Sequence, residues 1–94
     1  MNKENLSHQL VPTPRFIKQF SKFDKFIQRK IQKYMEAVVK VGANPRAKGK
    51  GLTANHSGLW RYRIGDYRVT VDIDDDQLIV LALETAHRKD VYRN

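Results

Sequence analysis

Ninety-four residues, 40% of them hydrophobic and 10% aromatic, suffice for one domain with a modest core and are too few for two. With no cysteine there is neither a disulfide framework nor a thiolate metal site, as suits a reducing cytoplasm; no signal-peptide pattern opens the chain, and no apolar run nears the ~20 residues of a membrane span. The net charge of +8 is unevenly spread, with five acids and no base in residues 70–86, so a polyanion is the expected partner, RNA or DNA before an anionic membrane.

Residues 1–7 are polar and expected to fray. His8 to Pro12 reads as a short first strand at a sheet edge, because Pro12 cannot donate to a ladder. Thr13 and Pro14 then mark a helix start, as N-cap and first helical residue. From Pro14 to Val41, apolar residues recur every three or four positions: Phe16, Phe20, Phe23, Ile27, Ile31, Tyr34, Val38 and Val41. This stripe is a core face, and the lysines between are chiefly its solvated side. Asp24 reads as the cap of a second helix, giving a helical hairpin in place of one rod. Gly42 and Asn44-Pro45 end it.

Residues 43–58 form a basic loop around Lys48-Gly49-Lys50-Gly51. The spacing of a Walker loop is absent, so nucleotide hydrolysis has no support. Lys48 and Lys50, set beside glycines, are candidate RNA contacts. His56, most simply a surface histidine, is grouped with them.

Residues 59–72 carry the strongest pattern, a β-hairpin around Gly65-Asp66 with glycine where a type II′ turn wants it. That turn pairs Ile64 with Tyr67, Arg63 with Arg68, Tyr62 with Val69, Arg61 with Thr70 and Trp60 with Val71. Alternation then puts Trp60, Tyr62, Ile64, Tyr67, Val69 and Val71 on a core face and Arg61, Arg63, Arg68 and Thr70 on the other. Like charges directly opposed on paired strands cost up to ~1 kcal/mol. Solvated arginines are the ordinary reading of such positions, but in so basic a chain a bound anion explains them better. Asp74-Asp75-Asp76 reads as a solvated turn, since metal-binding oxygen ligands need wider spacing. Gln77 to Thr85 is a strand, apolar throughout Leu78 to Leu83 and so expected to be covered on both faces. The whole predicts an α+β domain spanning 1–94, with a small antiparallel sheet of about four strands packed on an N-terminal helical hairpin.

An up-down-up meander returns the last strand to the Gly65-Asp66 end, bringing Ala86 to Tyr92 near Arg63 and Arg68. Internal RNA cleavage needs a base for the 2′-hydroxyl, an acid for the leaving 5′-oxygen, and cations for the charge building on phosphorus. His87 is the expected proton-transfer group, because histidine's ordinary pKa lies near the working pH. The arginines are expected to stabilise charge, and Tyr92 to orient phosphate, share in proton transfer or stack on a base. No metal or other cofactor is called for, as the histidines at 8, 56 and 87 are too scattered to form a ligand motif.

The chain resembles the RelE/ParE toxin superfamily, and within it the RelE side. The similarity lies in Leu10-Val11-Pro12-Thr13-Pro14-Arg15-Phe16, in the helical pair, in Gly58 to Val69 with its W-R-Y-R-I-G-D-Y-R block, and in His87-Arg88-Lys89-Asp90-Val91-Tyr92. It implies a cytoplasmic toxin, a metal-independent endoribonuclease that cuts messenger RNA in the ribosomal A site. A cognate RelB-like antitoxin would hold it inactive in a hetero-oligomer. By the same resemblance Arg61 and Arg63 match basic catalytic positions, Arg68 the phosphate-contacting arginine, Tyr92 the C-terminal tyrosine, and His87-Arg88 the remaining acid/base segment. Some relatives have lysines at the first two positions, and lysine releases a proton more readily. That difference moves proton transfer toward His87, with Lys50 or Glu84 as the second group. The competing implication is a ParE-like toxin of the same fold that binds DNA gyrase and has no nuclease chemistry.

Overall fold

The computed structural model describes residues 7–52 and 58–91. Fraying of residues 1–6 therefore lies outside the described residues. The elements run β1 (Gln9–Pro12), α1 (Pro14–Ser21), α2 (Lys25–Val38), β2 (Lys50–Gly51), β3 (Leu59–Ile64), β4 (Tyr67–Asp74), β5 (Ile79–His87) and α3 (Arg88–Val91).

Local chemistry sets the helix boundaries. Thr13 Oγ1 accepts from the Phe16 backbone N–H at 3.2 Å and donates to the Leu83 carbonyl at 3.1 Å, so one side chain caps α1 and ties it to β5. Asp24 Oδ1 accepts from the Ile27 N–H at 2.9 Å and starts α2, which gives the expected hairpin. Gln28 secures the corner by donating to the Phe23 carbonyl at 3.0 Å. We expect Asp24→Ala to cost about 1 kcal/mol, the usual worth of an N-cap. A urea titration would show this as a lower midpoint at unchanged slope.

α2 ends at Val38, three residues earlier than expected, and Val41 is consequently exposed instead of joining the core. The buried Met35, which the sequence stripe omitted, fills that role. Phe16, Ile31, Met35 and Val38 pack against Tyr62, Ile64, Val69, Val71, Ile73, Val80 and Ala82. The helices thus cover the sheet face read as core.

The sheet has five strands in the order β1-β5-β4-β3-β2. β1 lies at an edge as expected but runs parallel to β5, pairing Leu10 with Val80, so the sheet is mixed and not wholly antiparallel. The β3–β4 register matches the expected one at every pair, from Ile64–Tyr67 through Trp60–Val71. Gly65 takes φ +60° and Asp66 has no positive φ, the pattern of a type II′ turn. In β5, Val80 and Ala82 are buried, whereas Ile79, Leu81 and Leu83 stay half-buried. The expected cover on both faces is therefore incomplete.

One irregularity decides what each face carries. The β4–β5 register shifts between Thr70 and Val71, so that Val71 pairs with Ala82 but Thr70 with Glu84, and Leu83 is the extra residue of a bulge. Strand side chains alternate, so one added residue moves every later side chain to the opposite face.

Candidate functional site

The open face carries two cross-strand rows. Lys50, Arg61, Thr70 and Glu84 are paired in sequence across β2, β3, β4 and β5; Arg63, Arg68 and Ala86 form the next row. Lys50, Arg61, Arg63 and Arg68 together line an open cavity of about 460 Å³, completed by Gly49 and by Tyr34 from α2. Arg61 Nε donates to Thr70 Oγ1 at 3.3 Å, which lays the guanidinium along the sheet. Arg68 Nη1 donates to the carbonyls of Gly65 at 3.3 Å and Tyr67 at 3.2 Å, holding it back against the turn. Among the described residues no carboxylate forms an ion pair with Arg61, Arg63 or Arg68. Arg63 is exposed and stands directly opposite Arg68. Four cations thus share a concave surface whose lining, among the described residues, includes no carboxylate, an arrangement suited to a phosphate backbone.

His87 does not join them. It pairs with Tyr67, and its ring lies edge-on to the Tyr67 ring at 5.1 Å, on the face where Tyr67 also meets Phe23. The bulge is the physical reason. Without Leu83 as an extra residue, the register at the acidic end would set His87 opposite Asp66, in phase with Arg68. The same residue exchanges the imidazole for a carboxylate, because it puts Glu84 on the face of Arg61 and turns Thr85 into the core. Glu84 is half exposed, with an Arg15 guanidinium 3.5 Å away. His87 Nδ1 instead accepts from the Lys89 backbone N–H at 3.2 Å and steadies the start of α3.

The strand end does return to the hairpin turn as expected. Arg88 donates its backbone N–H to the Asp66 carbonyl at 2.6 Å, and its guanidinium lies 3.5 Å from the Asp66 carboxylate. Lys48 is exposed and does not line the arginine cavity; its ammonium lies 5.4 Å from the Tyr34 ring centroid. Tyr92 and His56 lie outside the described residues. Helical spacing assigns Tyr34 to the core, and nothing in that spacing separates a lining residue from a packing one.

The acidic end is a separate structure. Asp74 accepts from the backbone N–H groups of Asp76 and Gln77 and so closes the turn. Asp75 bonds Arg46 at 2.9 Å and His8 at 2.9 Å, which holds its carboxyl below the usual carboxylate range. Among the described residues no histidine, aspartate or glutamate group is clustered to hold a metal ion.

Solved structures share this fold at low identity. A mutant E. coli toxin RelE in the free state superposes with a TM-score of 0.74 at 15% identity, over 89% of this chain and 86% of that one. A RelBE toxin–antitoxin complex from Mycobacterium tuberculosis gives 0.72 at 24% identity, over 88% and 100%. The archaeal RelE–RelB complex from Pyrococcus horikoshii gives 0.69 at 16% identity, over 95% and 100%. No curated protein matches the chain in sequence. The model of the ParE toxin of type II toxin–antitoxin systems matches residues 10–92. The chain therefore belongs to the RelE/ParE superfamily, as a toxin of a type II toxin–antitoxin system.

Proposed function

We propose that the chain cleaves messenger RNA on the ribosome, with the open face of the sheet as its active surface. The observation that carries the reading is the pair of cross-strand rows that place Lys50, Arg61, Arg63 and Arg68 around one cavity, with Glu84 on the same face. Arg63 and Arg68 hold the scissile phosphate and stabilise the charge gained as the fifth oxygen approaches phosphorus. Glu84 takes the 2′-hydroxyl proton and the Lys50 ammonium gives one to the departing 5′-oxygen. The products are a 2′,3′-cyclic phosphate and a 5′-hydroxyl end. His87, set on the helix face, serves to steady the start of α3.

In this reading the toxin works in the cytoplasm, where ribosomes are. Its partner is an antitoxin, as in the M. tuberculosis and P. horikoshii complexes. A chain of net charge +8 favours an acidic, amphipathic antitoxin segment.

A second reading has its own support: the matching model is that of ParE, and the imidazole expected at the nuclease site lies across the sheet. It makes the chain a gyrase-binding toxin without nuclease chemistry. Purified chain assayed in a translation extract and in a gyrase supercoiling reaction separates the two. The nuclease reading expects protein synthesis to stop with new message ends and supercoiling to continue. Arrested supercoiling with intact message would establish the other.

A further inference from the structure

Beside the arginine cavity lies a second, smaller one of about 250 Å³, and Tyr34 lines both. Its walls include Ala37, Val38 and Pro45, with Asn44 and Lys48 as polar members and, among the described residues, no carboxylate. The loop that forms it is fastened to the sheet. Tyr62 Oη donates to the Pro45 carbonyl at 2.6 Å, Trp60 Nε1 donates to the Lys48 carbonyl at 2.7 Å, and the Asn44 side chain accepts from the Arg46 N–H at 2.9 Å. The cavity is therefore preformed, with its shape set by the buried Tyr62 hydroxyl and the half-buried Trp60 indole. Apolar walls, one aromatic ring, one amide and a cation suit a flat, uncharged heteroaromatic ring attached to an anionic strand. The Lys48 ammonium now stands over the Tyr34 ring, where a base would stack; a lysine displaced from there is free to meet the adjoining phosphate.

We propose that Tyr34 and this cavity form a nucleobase pocket continuous with the arginine face, so that the chain grips one base of the strand whose phosphate Arg63 and Arg68 hold. The inference rests on the RNA-binding reading above and adds to it a base-recognition element. Stacking on one aromatic side chain strengthens single-strand binding while phosphate contacts remain as they were. Bases and backbone are thus gripped by separable parts of the surface.

The test compares a short fluorescent single-stranded RNA with an abasic strand of equal length and charge, by anisotropy at fixed salt. Wild type is expected to bind the base-bearing strand about tenfold more tightly. Ala37→Leu, at an exposed helical position that tolerates leucine, fills the cavity mouth and should abolish that preference while abasic-strand affinity stays at the wild-type value. Tyr34→Phe should keep the preference, because the ring remains. Arg63→Ala should weaken both strands equally. Equal wild-type affinity for the two strands, or an Ala37→Leu loss shared by both, would overturn the pocket while leaving the arginine face intact as an RNA site. Failure to bind either strand, with no effect of Arg63→Ala, would overturn the pocket and the RNA reading together.

Discussion

Arg63→Ala should lower message cleavage on ribosomes by about 10²–10³-fold without lowering the stability of the fold. The two halves of this expectation come from the same geometry. Arg63 is exposed, stands directly across from Arg68, and has no ion pair among the described residues. Removing it relieves a like-charge opposition of up to ~1 kcal/mol, so the melting temperature should hold or rise slightly. A residue retained only for the fold would behave in the opposite way. Arg68→Ala should lose as much activity, but with a small stability cost, since its guanidinium also bonds the Gly65 and Tyr67 carbonyls. Cleavage time courses and thermal melts of the same preparations check both halves.

Tyr62→Phe should destabilise the protein by about 1–3 kcal/mol, the cost of leaving a buried acceptor unpaired. Tyr62 is fully buried, and its hydroxyl supplies the bond to the Pro45 carbonyl, itself in a buried residue. For a domain of this length each kcal/mol corresponds to about 4–8 °C in melting temperature. The same phenol gives a pH signature. Burial, helped by the neighbouring Tyr34 and opposed by Arg46, pushes Tyr62 up from 10.0 to about 12. The unfolded chain therefore releases this proton first. The contribution of Tyr62 is present in full below pH 10 and is lost as pH rises toward about 12, at up to about 1.4 kcal/mol per pH unit. Burial also raises Tyr34, which adds in the same direction. Wild type should thus lose stability through this window more steeply than Tyr62→Phe, as read by urea midpoints across alkaline pH.

Residues whose backbone role is local were legible in the sequence. Thr13 and Pro14 announce α1, Asp24 announces α2, and Gly65 fixes a turn from which every β3–β4 pair follows. The four-residue β1 could be placed at an edge through Pro12, but its parallel partner β5 lies some seventy residues away, and no local pattern encodes that pairing. The bulge at Leu83 was hidden for a different reason. Leu83 closes an apolar run, and no glycine or proline there marks a change of phase. That hidden residue reversed the face of His87, the group expected to move protons, and brought Glu84 into the row of Lys50 and Arg61. The arginine face was legible because its register depends on the turn alone, and the end of β5 was misread because its register does not.

Whether the sheet's open face is the surface that cuts RNA is tested most directly by the chemistry of the cut ends. Purified chain, ribosomes and a defined message are combined, and the fragment ends are mapped for wild type and for the Arg63→Ala/Arg68→Ala double variant. Wild type is expected to give 5′-hydroxyl and 2′,3′-cyclic phosphate ends, dependent on ribosomes, and the double variant to lose them while still folding. Intact message with wild type, or undiminished cleavage by the double variant, would contradict that role of the open face.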